Sequence, residues 1–344
     1  MAKEKVTVRY FSRSIHSAQL FTGLHKLRRR GAVSLRIEDH TTDSSYPYKT
    51  AITEVVYRGK VLAFDMLDGY NDIDAIRWFY ERCDFYFKRS FSHTLNRLYG
   101  FSDLIFFPWG FNYHVSYIGN PCEGPADAVL KEIIKIIFGK ETNCYFTTKI
   151  FEEKPVLKKR GIRILFLTRL WSISDSLNNE LNNEREHINR QRIDLLRKLR
   201  ECFKEDFYGG LECSKLSEKM APDLCIPPEL TRRKSYLRQM HQSDICIATT
   251  GLHNSIGWKM GEYIAASKGI VSEPLNYIVP GGFEAGINYL EFKSIDCCIS
   301  SVRSLFEDPI RLYEMKLRNY YYYLSYLEPS HLISNCFHLI DTHI

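Results

Sequence analysis

Short apolar runs alternate with helix-like segments through the second half of the chain, and this pattern constrains the fold more than any other sequence feature. A predominantly apolar run over residues 162–168 is typical of a strand buried on both faces of a parallel sheet. Two further strands are predicted at 245–248 and 269–272, with a helix at 258–267 between them. Such alternation predicts right-handed crossovers and an open, doubly wound sheet. Sheets of this kind bind ligands beyond the carboxyl ends of their strands.

The first half of the chain also predicts an α/β domain, although its pattern is less regular. A strand at 6–11 precedes a helix at 17–30, whose leucines recur at helical spacing, and another strand follows at 33–37. Residues 52–66 predict a hairpin that turns at Arg58-Gly59-Lys60.

The boundary between the two halves is predicted from the length of the chain and from the positions of prolines and glycines. A chain of 344 residues fits about two domains. Prolines and glycines interrupt the stretch 111–160, which also contains a predicted helix at 126–138. We place the boundary near residue 155, which gives two Rossmann-like domains, residues 1–155 and residues 156–344.

Two helices are predicted to close the chain, near 295–306 and 309–327. We expect these terminal helices to pack back on the first domain. Four consecutive tyrosines, Tyr320 to Tyr323, would then form one helical turn that packs across the two domains.

Composition and charge favour an ordinary folded protein of the cytoplasm. No apolar run is long enough for a membrane span, no signal peptide is evident, and the ten cysteines form no C-x-x-C motif. The net charge of +6 is mild, so nucleic acid is not an expected partner. Three basic clusters nevertheless leave open a peripheral contact with an anionic inner membrane surface: residues 26–30, 158–160 and 232–234.

A polar loop between a strand and a helix is the most informative local feature. The strand ends at Thr249 and the helix begins near Trp258, so backbone amides and the positive end of the helix dipole would form an anion site. Lys259 opposes the dipole in the first turn, and a bound diphosphate would offset that cost. Glu262 would face the same side and accept the ribose hydroxyls. The candidate nucleotide-binding residues are Arg169, Thr250, Gly251, His253, Asn254, Ser255, Lys259 and Glu262. An amphipathic helix with surface Lys and Glu side chains is the alternative.

Several stretches of the second half resemble the group 1 glycosyltransferases. The similarity lies in Glu262 with the run 267–271, in Arg169 after the first strand of this half, and in the glycine-containing loop 280–289. It implies a GT-B fold, in which two Rossmann-like domains face a cleft. It also implies that Glu262 holds the ribose and that Arg169 contacts the phosphates. Many retaining members carry a second Glu where this chain has Asn254, so the resemblance does not set retention or inversion.

The first half would supply the acceptor site and its general base. His16 follows the first strand, and Asp65 and Asp68 follow the predicted hairpin, so each could remove a proton from a sugar hydroxyl. A helix-cap histidine and turn aspartates are the alternatives. Lys88 and Arg89 would reach phosphate or acceptor, or end a solvated strand.

The sequence Asp72-Ile73-Asp74 has the spacing of a metal-binding D-x-D motif, but Asp72 is also a good helix N-cap, so no metal site is predicted. We therefore expect a metal-independent glycosyltransferase without a cofactor, whose partners are a nucleotide sugar and a glycan or glycolipid acceptor. A nucleotide-sugar epimerase and a catalytically inactive partner subunit are the alternatives. The sugar, the base and the oligomeric state are not set by the sequence.

Overall fold

The computed structural model describes residues 3–124, 129–138, 146–174 and 178–343, with side chains for all of these except 129–132. The strands are β1 Glu4–Tyr10, β2 Val33–Asp39, β3 Ile52–Tyr57, β4 Lys60–Asp65, β5 Phe85–Lys88, β6 Phe106–Pro108, β7 Ile164–Thr168, β8 Phe207–Glu212, β9 Cys225–Ile226, β10 Ile245–Ala248, β11 Gly269–Ser272 and β12 Leu290–Glu291. The helices are α1 Ala18–Arg29, α2 Ile73–Tyr80, α3 His93–Tyr99, α4 Val129–Ile137, α5 Asn179–Phe203, α6 Lys215–Met220, α7 Pro228–Thr231, α8 Arg233–Gln242, α9 Trp258–Ala265, α10 Ile295–Glu307, α11 Pro309–Tyr322 and α12 Pro329–His343.

The strands form two six-stranded sheets, one in each half of the chain. The first sheet has the order β2-β1-β3-β4-β5-β6 and is parallel except for β3, which pairs antiparallel with both β1 and β4. The antiparallel strand results from the β3–β4 hairpin, which turns at Arg58 and Gly59, both with positive φ. The first sheet is therefore mixed and departs at β3 from a doubly wound parallel sheet.

The second sheet is parallel throughout its order β12-β11-β10-β7-β8-β9. Its strands β7, β10 and β11 are buried on both faces, as the apolar runs predict. The chain passes from β7 to β8 on one side and later returns to β10 on the other side of β7. This reversal opens a crevice at the carboxyl ends of β7 and β10, which is where open α/β sheets bind ligands.

The predicted arrangement of two Rossmann-like α/β domains that face a cleft is confirmed. The first sheet ends at Pro108 and the second begins at Ile164, and the predicted boundary near residue 155 lies between them. Among the described residues, no helix has both the length and the apolar character that a membrane crossing requires. Part of the predicted helix at 126–138 lies outside the described residues, and α4 covers the rest.

A third terminal helix, α12, was not predicted. It packs against α1 in the core of the first domain through Leu332, Ile333 and Phe337. The contact is close, since a Cβ at Gly23 would lie 2.2 Å from the carbonyl oxygen of Pro329. Polar residues lie between the apolar residues of α12, so its sequence shows no distinct helical pattern. Its place in the fold is clear only from its packing against α1.

The predicted tyrosine turn contributes to the contact between the halves through two of its four members. Tyr322 packs edge-on against Phe111 of the first half, with ring centroids 5.8 Å apart. Tyr323 donates a hydrogen bond of 2.6 Å to Glu152. Tyr321 is 59% exposed, and the helix changes to a π-helix at Tyr323–Leu327.

Candidate functional site

A cavity of about 1020 Å³ lies between the two sheets. Its first wall comes from the N-terminal half and includes His16, Asp68 and Arg89. Its second wall is formed by the residues that follow β7 and β10 and by the first turn of α9. The cavity therefore coincides with the crevice that the strand order creates in the second sheet.

Three cations, Arg169, Arg192 and Lys259, line the second wall without a carboxylate partner among the described residues. The Lys259 ammonium donates to the carbonyl of Leu167 at the end of β7. Burial and the neighbouring Arg192 and Arg169 together lower the pKa of Lys259 to about 8. Arg169 is exposed, and its guanidinium lies 4.7 Å from the ring centre of Trp171. The three cations repel one another, and an anion in the cavity would relieve that repulsion.

Arg192 joins the two loops at the crevice and was not predicted as a site residue. It is 7% exposed, and its guanidinium donates to the carbonyls of Arg169 at 2.7 Å and Thr250 at 3.2 Å. Burial lowers its pKa to about 10, so it stays charged at neutral pH, and its Nε has no hydrogen-bond partner. An arginine next to Ile193 on the apolar side of α5 is the signal in the sequence that could have identified it.

Glu262 lies at the cavity but already has protein partners for both carboxylate oxygens. Arg233 donates to Oε1 at 2.6 Å and Tyr236 donates to Oε2 at 2.7 Å, and Glu262 is 1% exposed. Burial opposes the charge on Arg233, yet the Glu262 carboxylate raises the Arg233 pKa overall. A carboxylate oxygen has two acceptor positions, so the bonds from Arg233 and Tyr236 do not use up the acceptor capacity of Glu262. Arg233 belongs to the basic cluster 232–234, for which the sequence left open a contact with an anionic membrane surface.

The loop after β10 differs from its prediction, because carboxylates and carbonyls of the protein occupy its amides. The amide and hydroxyl of Thr250 donate to Glu273 at 2.6 and 2.8 Å. The amide of His253 donates to Glu184 at 2.6 Å, and the amide of Gly251 donates to the carbonyl of Ser255 at 2.8 Å. These amides are therefore not free for an anion. The candidate anion site at this edge therefore depends on side-chain cations, since the amide of Met260 in the first turn of α9 also donates to the carbonyl of Gly257 at 3.2 Å.

The remaining residues of the loop differ in their access to the cavity. Gly251, His253 and Ser255 line it, whereas the exposed Asn254 does not. His253 has φ 57° and Asn254 has φ 56°, so both lie in the left-handed region, which histidine and asparagine tolerate better than most residues. The structure thus brings seven of the eight predicted nucleotide-binding residues to one cavity and leaves out Asn254.

His16 lies at the first wall, where burial and the charge of Arg89 lower its pKa to about 4. Its ring packs against Trp258 of the second wall, with centroids 4.9 Å apart. Its Nδ1 is buried and has no hydrogen-bond partner. The imidazole is therefore neutral at pH 7 and has a nitrogen free to accept a proton.

Asp65 does not fit its predicted role as a general base. It is completely buried, and its carboxylate accepts from Lys88 at 2.8 Å, from Tyr86 at 2.8 Å and from the amide of Leu67 at 2.7 Å. It does not line the cavity. Lys88 is equally buried, so the two charges compensate each other inside the domain and neither residue lines the cavity.

Asp68 and Arg89 lie at the cavity and form an ion pair with each other. Asp68 is 44% exposed at its side chain, whereas Arg89 is almost fully buried. Asp72 accepts from the amide of Ala75 at 3.3 Å and is the N-cap of α2, as its alternative interpretation expected. No cluster of three or more metal-ligating side chains occurs among the described residues.

No family model matches the sequence. No curated protein matches it either. Similar solved structures include the UDP-GlcNAc 2-epimerase from Neisseria meningitidis bound to UDP-GlcNAc, which is 13% identical with a TM-score of 0.49, where the match covers 98% of this chain and 100% of that chain. Alr3699/HepE from Anabaena in complex with UDP-glucose is 9% identical with a TM-score of 0.44, at 98% and 100% coverage.

A third similar structure is the C-terminal domain of the glycosyl transferase group 1 family protein LpcC from Francisella tularensis. It is 12% identical with a TM-score of 0.31, and the match covers 52% of this chain and 95% of that chain. At identities of 9–13% and TM-scores below 0.5, these likenesses assign no activity to this chain.

Proposed function

We propose that this protein is a glycosyltransferase that moves a sugar from a nucleoside diphosphate donor to a hydroxyl of a glycan or glycolipid. The observation that carries the proposal is the cluster of Arg169, Arg192 and Lys259, which have no carboxylate partners among the described residues and lie where an α/β sheet binds ligands. The resemblance of Glu262 and Arg169 to the group 1 pattern supports the same assignment.

The cation cluster suits a leaving diphosphate. Burial lowers the pKa of Lys259 most, and repulsion from Arg192 and Arg169 lowers it further, so two negative phosphates would offset that repulsion and shift this lysine toward full protonation. Charge that develops on the departing diphosphate would be stabilised by groups that are already in position. Because these charges come from side chains, the proposed mechanism uses no metal.

The opposite wall suits an acceptor hydroxyl. His16 lines the cavity, and its neutral imidazole is proposed to take the hydroxyl proton. A pKa of about 4 makes the free imidazole a weak base, and a bound anion across the cavity would raise that pKa. The position of Asp68, which is half-exposed and paired with Arg89, fits a hydrogen bond to the acceptor better than proton removal.

A thermal-shift series with nucleoside diphosphates and their sugars tests the donor site, because a ligand of the native state raises the melting temperature by mass action. We expect stabilisation of the wild type, and we expect Lys259→Ala to lose it. Lys293→Ala is the matched control, since Lys293 is 79% exposed at its side chain and lies outside the cavity. A wild type that no nucleotide stabilises, or a Lys259→Ala variant that responds like the wild type, would contradict the proposal.

Product identification separates transfer from the alternatives. The stabilising donor is incubated alone and then with a mixture of sugar and glycolipid acceptors. Transfer predicts a new glycosidic product that depends on the acceptor. Conversion of the donor sugar into its stereoisomer without acceptor would instead identify an epimerase, and binding without any turnover would identify an inactive subunit. Either result would overturn the proposed activity while leaving the donor site in place.

A further inference from the structure

One side of α5 holds the loop that follows β7. Four polar side chains on this side recur at intervals of three or four residues and bond to the backbone of residues 169–174: Asn182, Arg185, Asn189 and Arg192. Arg185 donates to the carbonyl of Ser172 at 2.5 Å, and Asn182 donates to the carbonyl of Ser174 at 2.9 Å. Side chains at this spacing share one side of a helix, so the loop is bound to α5 along its length.

Asn189 is the most buried of these four residues, and it binds Trp171. Asn189 is 0% exposed, its carboxamide oxygen accepts from the amide of Trp171 at 2.8 Å, and its carboxamide nitrogen donates to the carbonyl of Trp171 at 2.9 Å. One side chain therefore satisfies both backbone groups of Trp171. This pairing fixes the backbone of Trp171, although the three residues that follow it in the loop are exposed.

The indole of Trp171 contacts one of the cations of the proposed donor site. Trp171 lines the cavity, and the guanidinium carbon of Arg169 lies 4.7 Å from its ring centre. The Arg169 side chain makes neither a hydrogen bond nor an ion pair with the other described residues, so the indole is the polar contact that the structure gives it. A guanidinium over an indole is attracted by the negative charge of the ring face.

This attraction opposes the repulsion within the cation cluster. Burial contributes most to the lowered pKa values of Lys259 and Arg192, and the charge of Arg169 lowers both further, so Arg169 lies close enough to repel them. Without a bound anion, that repulsion favours rotation of the exposed Arg169 side chain into solvent. The indole of Trp171 counteracts it and keeps the guanidinium at the cavity. A side chain already held in place loses less freedom when a ligand binds.

We propose that Trp171 is a positioning residue for diphosphate binding: its indole holds the Arg169 guanidinium at the cavity, and Asn189 holds Trp171. The proposal rests on the proposed function, because it assumes that the donor diphosphate lies on the cation cluster. It gives Trp171 no contact of its own with the diphosphate, so every effect of Trp171 on binding has to pass through Arg169.

Titration calorimetry with inorganic pyrophosphate and with UDP, GDP, ADP and CDP tests the proposal. Trp171→Leu should weaken binding of pyrophosphate and of the tightest nucleotide by the same factor, about three- to thirtyfold, because the contact between cation and ring is lost. Arg169→Ala should weaken both at least as much. The double variant Arg169→Ala/Trp171→Leu should bind like Arg169→Ala alone. Trp171→Phe keeps an aromatic face and should stay within about threefold of the wild type.

Asn189→Leu tests the support that α5 gives to Trp171. It removes both hydrogen bonds to the Trp171 backbone, so it should weaken pyrophosphate binding in the wild type and have a smaller effect in Arg169→Ala. Asn183→Leu makes the same substitution at an exposed position of α5 and should leave the affinity unchanged. Equal losses in Asn189→Leu and Asn183→Leu would contradict the role of Asn189.

The outcomes separate this inference from the proposed function. If Trp171→Leu weakens nucleotide binding but not pyrophosphate binding, or if its effect persists in Arg169→Ala, then Trp171 acts without Arg169 and the inference is overturned. Unchanged affinities in Trp171→Leu or in Arg169→Ala overturn it as well, and each of these results leaves the remaining donor site in place. A wild type that binds none of the five ligands, or binding that Lys259→Ala does not weaken, would overturn the proposed function itself.

A measurement on the wild type decides the inference if Trp171→Leu fails to fold, as judged by circular dichroism. The ring current of an indole shifts the resonances of protons above its face upfield. The side-chain N–H resonance of Arg169, assigned by its loss in Arg169→Lys, should therefore lie upfield of the resonance of the exposed Arg190. An Arg169 resonance at the position of Arg190 would overturn the inference.

Discussion

The carboxyl edges of the two sheets face one cavity but differ in how their charges are balanced. On the N-terminal side the cations are paired, Lys88 with Asp65 and Arg89 with Asp68. On the C-terminal side Arg233 is paired with Glu262, while Arg169, Arg192 and Lys259 have no carboxylate partner among the described residues. Similar folds therefore present two environments: a balanced wall, where Lys88 and Arg89 form ion pairs with carboxylates, and an unbalanced wall, where three cations have no ion-pair partner among the described residues.

The strongest test of the balanced wall is His16. Replacing His16 with Asn should lower kcat by about 10²–10⁴-fold, because the proposed general base is lost, and should change nucleotide affinity little. The rate of nucleoside diphosphate release is measured with the donor that the thermal-shift series identifies. His187→Ala, at an exposed position of α5, should leave kcat unchanged. An unchanged kcat in His16→Asn would show that His16 is not the general base.

The pair of Lys88 and Asp65 tests whether charge pairing at the balanced wall stabilises the fold. Lys88→Met should lower the free energy of unfolding by about 3–5 kcal/mol, because it leaves a buried carboxylate without its counterion. Urea unfolding at pH 7 measures the effect. Lys60→Met breaks the half-exposed pair with Asp84 and should cost at most about 1 kcal/mol. Similar costs for the two variants would argue against the buried pair as a structural element.

Arg192 tests whether the unbalanced wall is held together by one of its own cations. Arg192→Ala should lower the free energy of unfolding by about 1–3 kcal/mol, because the carbonyls of Arg169 and Thr250 lose their donor. It should also weaken nucleoside diphosphate binding in calorimetry. Arg190→Ala, on the exposed side of the same helix, should change neither quantity. A variant that is stable and binds normally would show that the loops keep their positions without this arginine.

The pKa of Lys259 predicts a pH dependence that is specific to the unbalanced wall. Its pKa of about 8 in the free fold means that the ammonium loses its proton as pH rises above 8. Nucleoside diphosphate affinity should then fall by about tenfold per pH unit until the pKa of the bound state is reached. Unfolding stability should change in the opposite sense, because the unfolded chain binds this proton more tightly and stability therefore rises with pH above 8.

Calorimetry in buffers between about pH 7 and about pH 9.5 measures this dependence against the pKa of about 8. Lys259→Arg keeps its charge over the whole interval and should show a flat profile. An unaltered affinity of the wild type across the interval would mean that Lys259 does not contact the diphosphate.

The smallest effect is expected at Asp68, the half-exposed member of the ion pair with Arg89 in the balanced wall. Asp68→Asn should lower the free energy of unfolding by less than about 1 kcal/mol, because solvent screens the ion pair with Arg89. Urea unfolding beside Lys88→Met gives the comparison directly. A cost close to that of Lys88→Met would show that Asp68 compensates the buried charge of Arg89 more completely than its exposure indicates.

The sequence by itself determined the elements whose patterns are strong. The apolar strands β7, β10 and β11 and the helix α9 lie where periodicity predicts them. The β3–β4 hairpin likewise follows from its local turn. The short helices α3, α6 and α7 and the helix α12 were missed, because none of them shows a distinct pattern and α12 is stabilised by its contact with α1.

Only the tertiary structure decided which charged residues share the cavity and which are partners. The sequence treats Asp65 and Asp68 as equivalent turn residues, yet the fold buries Asp65 beside Lys88 and leaves Asp68 at the cavity. It gives no sign that Glu184 and Glu273 occupy the loop amides, or that Arg233 meets Glu262. The reason is physical: periodicity reports the surroundings of one segment, whereas charge balance depends on groups that lie far apart in the chain and meet only after the sheets have formed.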